Sequence, residues 1–109
     1  MKYRIEMLPS AWEDLKAVED WYLLNFGGET AIKVSDSVLE AVERLEEFPD
    51  SGSRTPDAWL NNMGYRMVIA GRHMAIYKRI KDCVYVYHIA DTRTAYNRLF
   101  YTSITPEDS

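Results

Sequence analysis

Apolar and polar positions alternate at the start of the chain. Tyr3, Ile5 and Met7 interleave with Lys2, Arg4 and Glu6, the period-two pattern of a strand with one buried face. Pro9-Ser10 interrupts it, and Ser10 with Glu13 three residues on has the form of a capping box, which predicts a helix start. Ala11, Leu15, Val18 and Tyr22 then share one helical stripe, and Gly27-Gly28 supplies the left-handed backbone that ends a helix after about Phe26. A second helix, capped by Thr30, carries Ala31, Val34, Val38, Ala41, Val42 and Leu45 at spacings of three and four, until Pro49 stops it. A link this short makes the pair an antiparallel hairpin, and each helix needs a flat apolar partner to be stable.

The segment Asp50 to Gly64 is rich in Ser, Pro, Asn and Asp and reads as a loop, pinned by Trp59 and Leu60. After it, Tyr65–Ile69, His73–Ile80 and Cys83–Ile89 are short runs of β-branched and aromatic residues with tight links at Ala70-Gly71-Arg72 and Lys81-Asp82, an antiparallel meander. A two-residue turn at Lys81-Asp82 pairs Ile80 with Cys83, Lys78 with Tyr85, Ile76 with Tyr87 and Met74 with Ile89, which gathers one apolar face. Its opposite face pairs Arg79 with Val84, Tyr77 with Val86 and Ala75 with His88, and adds Arg66, Val68 and His73. The helices are expected on the apolar face, leaving the mixed face open. A short helix within Thr92–Phe100 and a frayed end complete the reading.

Composition narrows the classes without changing this picture. At 109 residues, 47% apolar and 28% charged, the chain reads as one α+β domain over residues 1–101, with 102–109 as a flexible tail. The net charge of −4 argues against a wholly basic nucleic-acid binder. The charge is uneven, however: through Ser53 there are 5 basic and 12 acidic residues, and after it 8 basic and 5 acidic, so a basic surface is expected from the second half. A single Cys83 allows no disulfide within the chain, and two separated His show no metal-ligand spacing, so neither metal nor cofactor is expected. No run of residues is long and apolar enough to cross a bilayer or to serve as a signal peptide, which points to the cytoplasm and away from membranes.

If the mixed face is open, it displays Arg66, His73, Tyr77, Arg79 and His88, with Arg93 just past the last strand. Guanidiniums, imidazoles and a phenol are the groups needed to hold an RNA phosphate, take a proton from a 2′-hydroxyl and return one to the leaving oxygen, chemistry that needs no metal. Val68, Val84 and Val86 between these charges also suit an amphipathic peptide.

The order of strand, helix hairpin, loop and meander resembles the RelE/ParE superfamily of toxins from bacterial type II toxin–antitoxin modules. The likeness is carried by "YRIEMLPSAWEDL", by the Leu45, Phe48, Pro49 and Gly52 of "LEEFPDSGSR", and by "YRMVIAGRHMAIYKRIKDCVYVYHIADTRTAYNRLF" with Arg66, Tyr77-Lys78, Arg93, Tyr96 and Phe100. It implies a small growth inhibitor neutralised by an antitoxin whose C-terminal segment wraps it. RelE-like members are mRNA interferases, endoribonucleases that act on ribosome-bound mRNA without a metal. On that reading Arg66 and Arg93 hold the phosphate, His73, His88 or a C-terminal tyrosine such as Tyr96 or Tyr101 moves protons, and Arg54, Arg72, Tyr77 and Arg79 contact RNA. ParE-like members instead poison DNA gyrase. The chain departs from both patterns: the loop before Tyr65 lacks the RelE-like lysines and has only Arg54, and Ala90 stands where ParE-like members often carry a His. A homologue that binds an antitoxin but has lost toxicity is the third reading.

Overall fold

The structure, a computed structural model, describes residues 2–55 and 57–93. The helix expected toward Phe100, the tail from 102, the boundary at 101 and both Tyr96 and Tyr101 lie outside the described residues. Along the chain run β1 (Arg4–Met7), α1 (Pro9–Phe26), α2 (Gly28–Glu43), a 3₁₀ turn (Arg44–Glu46), β2 (Ser53–Arg54), α3 (Ala58–Asn62), β3 (Arg66–Ala70), β4 (His73–Ile80) and β5 (Cys83–Asp91). The strands form one sheet in the order β1-β5-β4-β3-β2, with β1 parallel to β5 and the remaining pairs antiparallel. The α+β architecture expected from the sequence is the one observed.

The helix boundaries follow the glycines and proline, while the caps differ from expectation. Pro9 occupies the first turn of α1, where its missing N–H leaves no orphan donor. Ser10 does not close a capping box; its Oγ donates to the Tyr87 carbonyl at 2.6 Å. Gly27, at φ +96°, ends α1 and also precedes α2 directly, so Thr30 lies inside the second helix rather than capping it. The α2 stripe is buried as expected at Ala31, Val38, Ala41, Val42 and Leu45, but on α1 only Ala11 and Leu15 are fully covered. Val18 and Tyr22 stay half-buried.

Both meander turns have two residues, with Ala70 paired to His73 and Ile80 to Cys83. The expected pairs hold as far as Tyr77 with Val86. Beyond them Ile76 pairs with His88, Ala75 with Ile89, Met74 with Ala90 and His73 with Asp91. Tyr87 is the extra residue of a β-bulge, which shifts all later pairs by one position and carries Ile89 to the opposite side.

The helices cover the face expected to be open. Ala11, Leu15, Val38, Val42 and Leu45 pack on Ala75, Tyr77, Val84, Val86 and Ile89, with Val68, Ile5 and Met7 alongside. Register explains this: Ile5 pairs with Val84 and Met7 with Val86, and directly paired residues share a face. The apolar side of β1 therefore selects the Val84/Val86 side for the helices. The other face has its own cover. There Leu60 of α3, with Trp59, packs on Met74, Ile76, Ala90, Met67, Tyr65 and Tyr87. The segment expected as plain loop thus contains both a short strand and the small helix of a second, thinner layer, with Asp57 capping α3 by accepting from the Leu60 N–H at 3.0 Å.

That segment is tied down at Gly52. Its N–H donates to the buried Tyr77 hydroxyl at 3.0 Å, its carbonyl accepts from Arg66 Nη1 at 2.9 Å, and a Cβ placed there would meet the Tyr77 side chain and lie 2.6 Å from the Met67 carbonyl oxygen. Gly52→Ala should therefore cost about 1–3 kcal/mol through overpacking, and Tyr77→Phe a similar amount by orphaning a buried N–H. Urea unfolding should show a lower midpoint for both, with an unchanged slope.

Candidate functional site

The residues singled out by sequence separate into three groups. At the Tyr77 end of β4, Arg66 Nη1 donates to the carbonyls of Gly52 and Asp50 at 2.9 and 3.3 Å. Arg79 meets both carboxylate oxygens of Asp50 at 3.2 and 3.4 Å, donates to the Lys81 carbonyl and lies over the Tyr3 ring. Its guanidinium is held further above its ordinary range, chiefly by the hydrogen bond to Asp50. Tyr77 is fully buried, and its hydroxyl rises above its ordinary range because burial disfavours the phenolate. Arg54 donates to the Asn61 side chain at 3.2 Å. These four groups hold the loop to the sheet.

The second group lies where α1 crosses the edge of β5. Beyond Met7 there is no β1 left to pair with β5, and α1 side chains take over. Ser10 satisfies the Tyr87 carbonyl, while Asp14 Oδ2 accepts from the Ile89 N–H at 3.0 Å and sits 2.7 Å from His88 Nδ1. His88 thereby joins the packing of α1 on the sheet.

The third group forms a cleft. It opens between the C-terminal half of α1 and the end of the β3–β4 turn, with a volume of about 330 Å³, and its lining includes Val18, Trp21, Tyr22, Arg72, His73 and Arg93. Gly71 at φ +64° makes the tight turn that brings Arg72 to its rim. His73 is only 5% exposed and meets the edge of the Tyr22 ring at a centroid distance of 5.8 Å. Burial pushes its imidazole below the ordinary value; Asp91 pulls it back up and Arg72 pushes it further down. Asp91 Oδ1 accepts from the Arg93 N–H at 2.8 Å and from Nε at 3.3 Å, with Nη2 to Oδ2 at 3.4 Å, and these bonds lower its carboxyl. Arg72 is exposed and makes no ion pair among the described residues.

The expected single open surface is therefore not formed. Arg66, His73, Tyr77 and Arg79 do share one face, but the helices pack on that face, and along β4 Tyr77 lies four positions on from His73, about 13 Å at strand rise. Among the described candidates, Arg72, His73 and Arg93 are the ones that line one cleft. Sequence reasoning passed over Asp14, Asp91, Trp21 and Tyr22. Asp91 was legible as the partner facing His73 once the bulge is allowed for, and Tyr22 as the last member of an α1 stripe running past the sheet. Among the described residues no three His, Cys, Asp or Glu converge as a metal site, and no helix is long and apolar enough to cross a membrane.

Residues 5–96 match the family model of the ParE toxin of the type II toxin–antitoxin system, parDE. The chain belongs to that family. Two solved structures share its fold. One is the chromosomal ParDE system from P. aeruginosa, 21% identical with a TM-score of 0.71, covering 83% of this chain and 96% of that one. The other is the RelBE2 toxin–antitoxin complex from Mycobacterium tuberculosis, 14% identical with a TM-score of 0.63, covering 84% and 99%. No curated protein sequence matches the chain. Membership of the toxin family agrees with the order of elements read from the sequence.

A pH dependence follows from His73. The unfolded imidazole takes its proton near 6.5 and the folded one only at lower pH, so the unfolded state binds more protons below that value and stability falls as pH drops through it. Thermal unfolding of His73→Gln should lose less stability than the parent between about pH 7 and pH 5. Equal losses would mean that the imidazole is not protected in the fold.

Proposed function

We propose that this ParE-family protein is the growth-inhibiting toxin of an antitoxin pair and that it acts by holding a protein target, DNA gyrase, without cutting RNA. The observation that carries this is how the cationic candidates are used. Arg66 and Arg79 grip the Asp50–Gly52 loop, Arg54 an asparagine and Arg93 a neighbouring carboxylate, while large apolar side chains stand in solvent along the helix hairpin, Leu24 at 84% and Phe26 at 61% exposure. A surface of this kind suits a protein far better than a polyanion. Gyrase is the target that likeness to ParE implies.

Metal-independent mRNA cleavage is the second reading, favoured by the meeting of Arg72, His73 and Arg93 at one cleft. There Arg72 and Arg93 would steady the phosphate, His73 would take the 2′-hydroxyl proton as that oxygen bonds to phosphorus, and the 5′-oxygen whose bond to phosphorus breaks would leave with a proton from water. Purified protein should inhibit gyrase supercoiling and leave ribosome-bound mRNA intact. Cut mRNA with normal supercoiling, and cutting lost in Arg93→Ala, would replace the first reading with the second. Induced expression without growth arrest would remove both.

A further inference from the structure

The sheet face expected from sequence to dock a peptide, at Val68, Val84 and Val86, lies under the helices. What the sheet leaves open is an edge. β1 ends the strand order and has no strand on its outer side among the described residues. The N–H groups of Arg4 and Leu8 donate to the carbonyls of Asp82 and Val86 at 3.1 and 3.0 Å, so the backbone groups of Tyr3, Ile5 and Met7 point the other way, outward. The Tyr3 N–H is taken by the Glu46 carbonyl at 2.8 Å. Its carbonyl and both groups of Ile5 and Met7 have no backbone partner there among the described residues. A groove of about 350 Å³ adjoins the edge, formed by Ile5 and Met7 with Trp12, Leu39 and Val42 of the helices. Trp12 is 51% exposed.

Charge and register select the occupant. Arg4 and Glu6 are exposed on the side away from the helices and make no ion pair among the described residues. Charges on an edge strand normally oppose pairing. Here they oppose every two-fold pairing of β1 with itself but one. Centred on Arg4 the pairing sets arginine against arginine, and centred on Glu6 it sets glutamate against glutamate. Centred on Tyr3 it needs the N–H that Glu46 holds, and centred on Met7 it runs into Pro9, which has no N–H to give. Centred on Ile5 it sets each Arg4 against a Glu6, directly opposite.

We infer that β1 pairs antiparallel with β1 of a second copy of this chain, in the register centred on Ile5, and joins two five-stranded sheets into one. Ile5 exchanges both hydrogen bonds with its counterpart, and each Met7 N–H donates to the Tyr3 carbonyl opposite. On the helix side Tyr3, Ile5 and Met7 of each copy extend into the other's groove. Glu43 and Glu46 also line that groove, but the incoming strand brings no acidic side chain to this side, and Glu46 already has Lys2 at 3.9 Å. The inference depends on neither gyrase nor RNA nor an antitoxin.

Sedimentation of the full chain over a concentration series tests it. The parent should show a monomer–dimer equilibrium. Arg4→Glu alone and Glu6→Arg alone each set like charges opposite one another and should weaken the dimer about tenfold. An equimolar mixture of the two variants sets acids against bases again and should associate as the parent does. Lys16→Glu, exposed on α1, should change nothing. Circular dichroism checks that each variant folds. A peptide of residues 2–8 should displace the dimer, and the same peptide with its arginine and glutamate exchanged should not. A parent that stays monomeric, a dimer unmoved by either charge change, or a mixture that fails to regain the parent's affinity would each overturn the inference. Displacement by both peptides, as from an edge that takes any extended segment, or by neither, would overturn it as well.

Discussion

The parallel pairing of β1 with β5 is the constraint from which the rest of the structure follows. It sets Ile5 beside Val84 and Met7 beside Val86, and with that it decides which side of the meander receives the helices. The far side must then be covered by something else, and α3 with Leu60 does so. Because β1 ends at Met7 while β5 continues to Asp91, part of the β5 edge has no strand partner among the described residues. An unpaired buried donor or acceptor costs about 1–3 kcal/mol, and Ser10 and Asp14 remove that cost by bonding the edge from α1. One short strand thus fixes the position of the first helix, and through it that of the hairpin.

The larger elements were legible in the residues, whereas β2 and α3, inside a stretch that reads as loop, were not. Period-two alternation marked β1, the three-four stripes marked both helices, and two-residue turns set the meander. What could not be read was anything that depends on a non-local partner. A meander with Val, Ala and Tyr on one side and Met, Ile and Tyr on the other has two apolar faces, and only the register with β1 chooses between them. The bulge at Tyr87 has no glycine or proline to announce it. It is stabilised by contacts on either side, Tyr65 against the Tyr87 ring and Asp14 against His88, which come from distant parts of the chain. Ser10 had the spacing of a cap, but the Tyr87 carbonyl, seventy-seven residues away, takes its hydroxyl.

Choosing the other face changes the meaning of the basic residues. On an open sheet Arg66, Tyr77 and Arg79 would be ligands for a phosphate. Under the helical layer and at its rim they organise the Asp50–Gly52 loop, whose glycine leaves room for the Tyr77 hydroxyl. The Leu45, Phe48, Pro49, Gly52 pattern that carries much of the family likeness is explained in the same way. Leu45 and Pro49 are buried and Gly52 makes the close approach, while Phe48 remains 61% exposed.

The cleft has a geometric origin. An 18-residue helix extends about 27 Å, and its side-chain hydrogen bonds to β5, from Ser10 to Tyr87 and from Asp14 to Ile89, both lie in its first half. The later turns of the helix, at Val18, Trp21 and Tyr22, line the cleft together with Arg72, His73 and the end of β5. Aromatic residues at Trp21, Tyr22 and Phe26 stiffen this end of the helix by packing on one another. The buried His73 imidazole, the exposed Arg72 guanidinium and the exposed Trp21 and Phe26 rings thus stand together at the end of the hairpin.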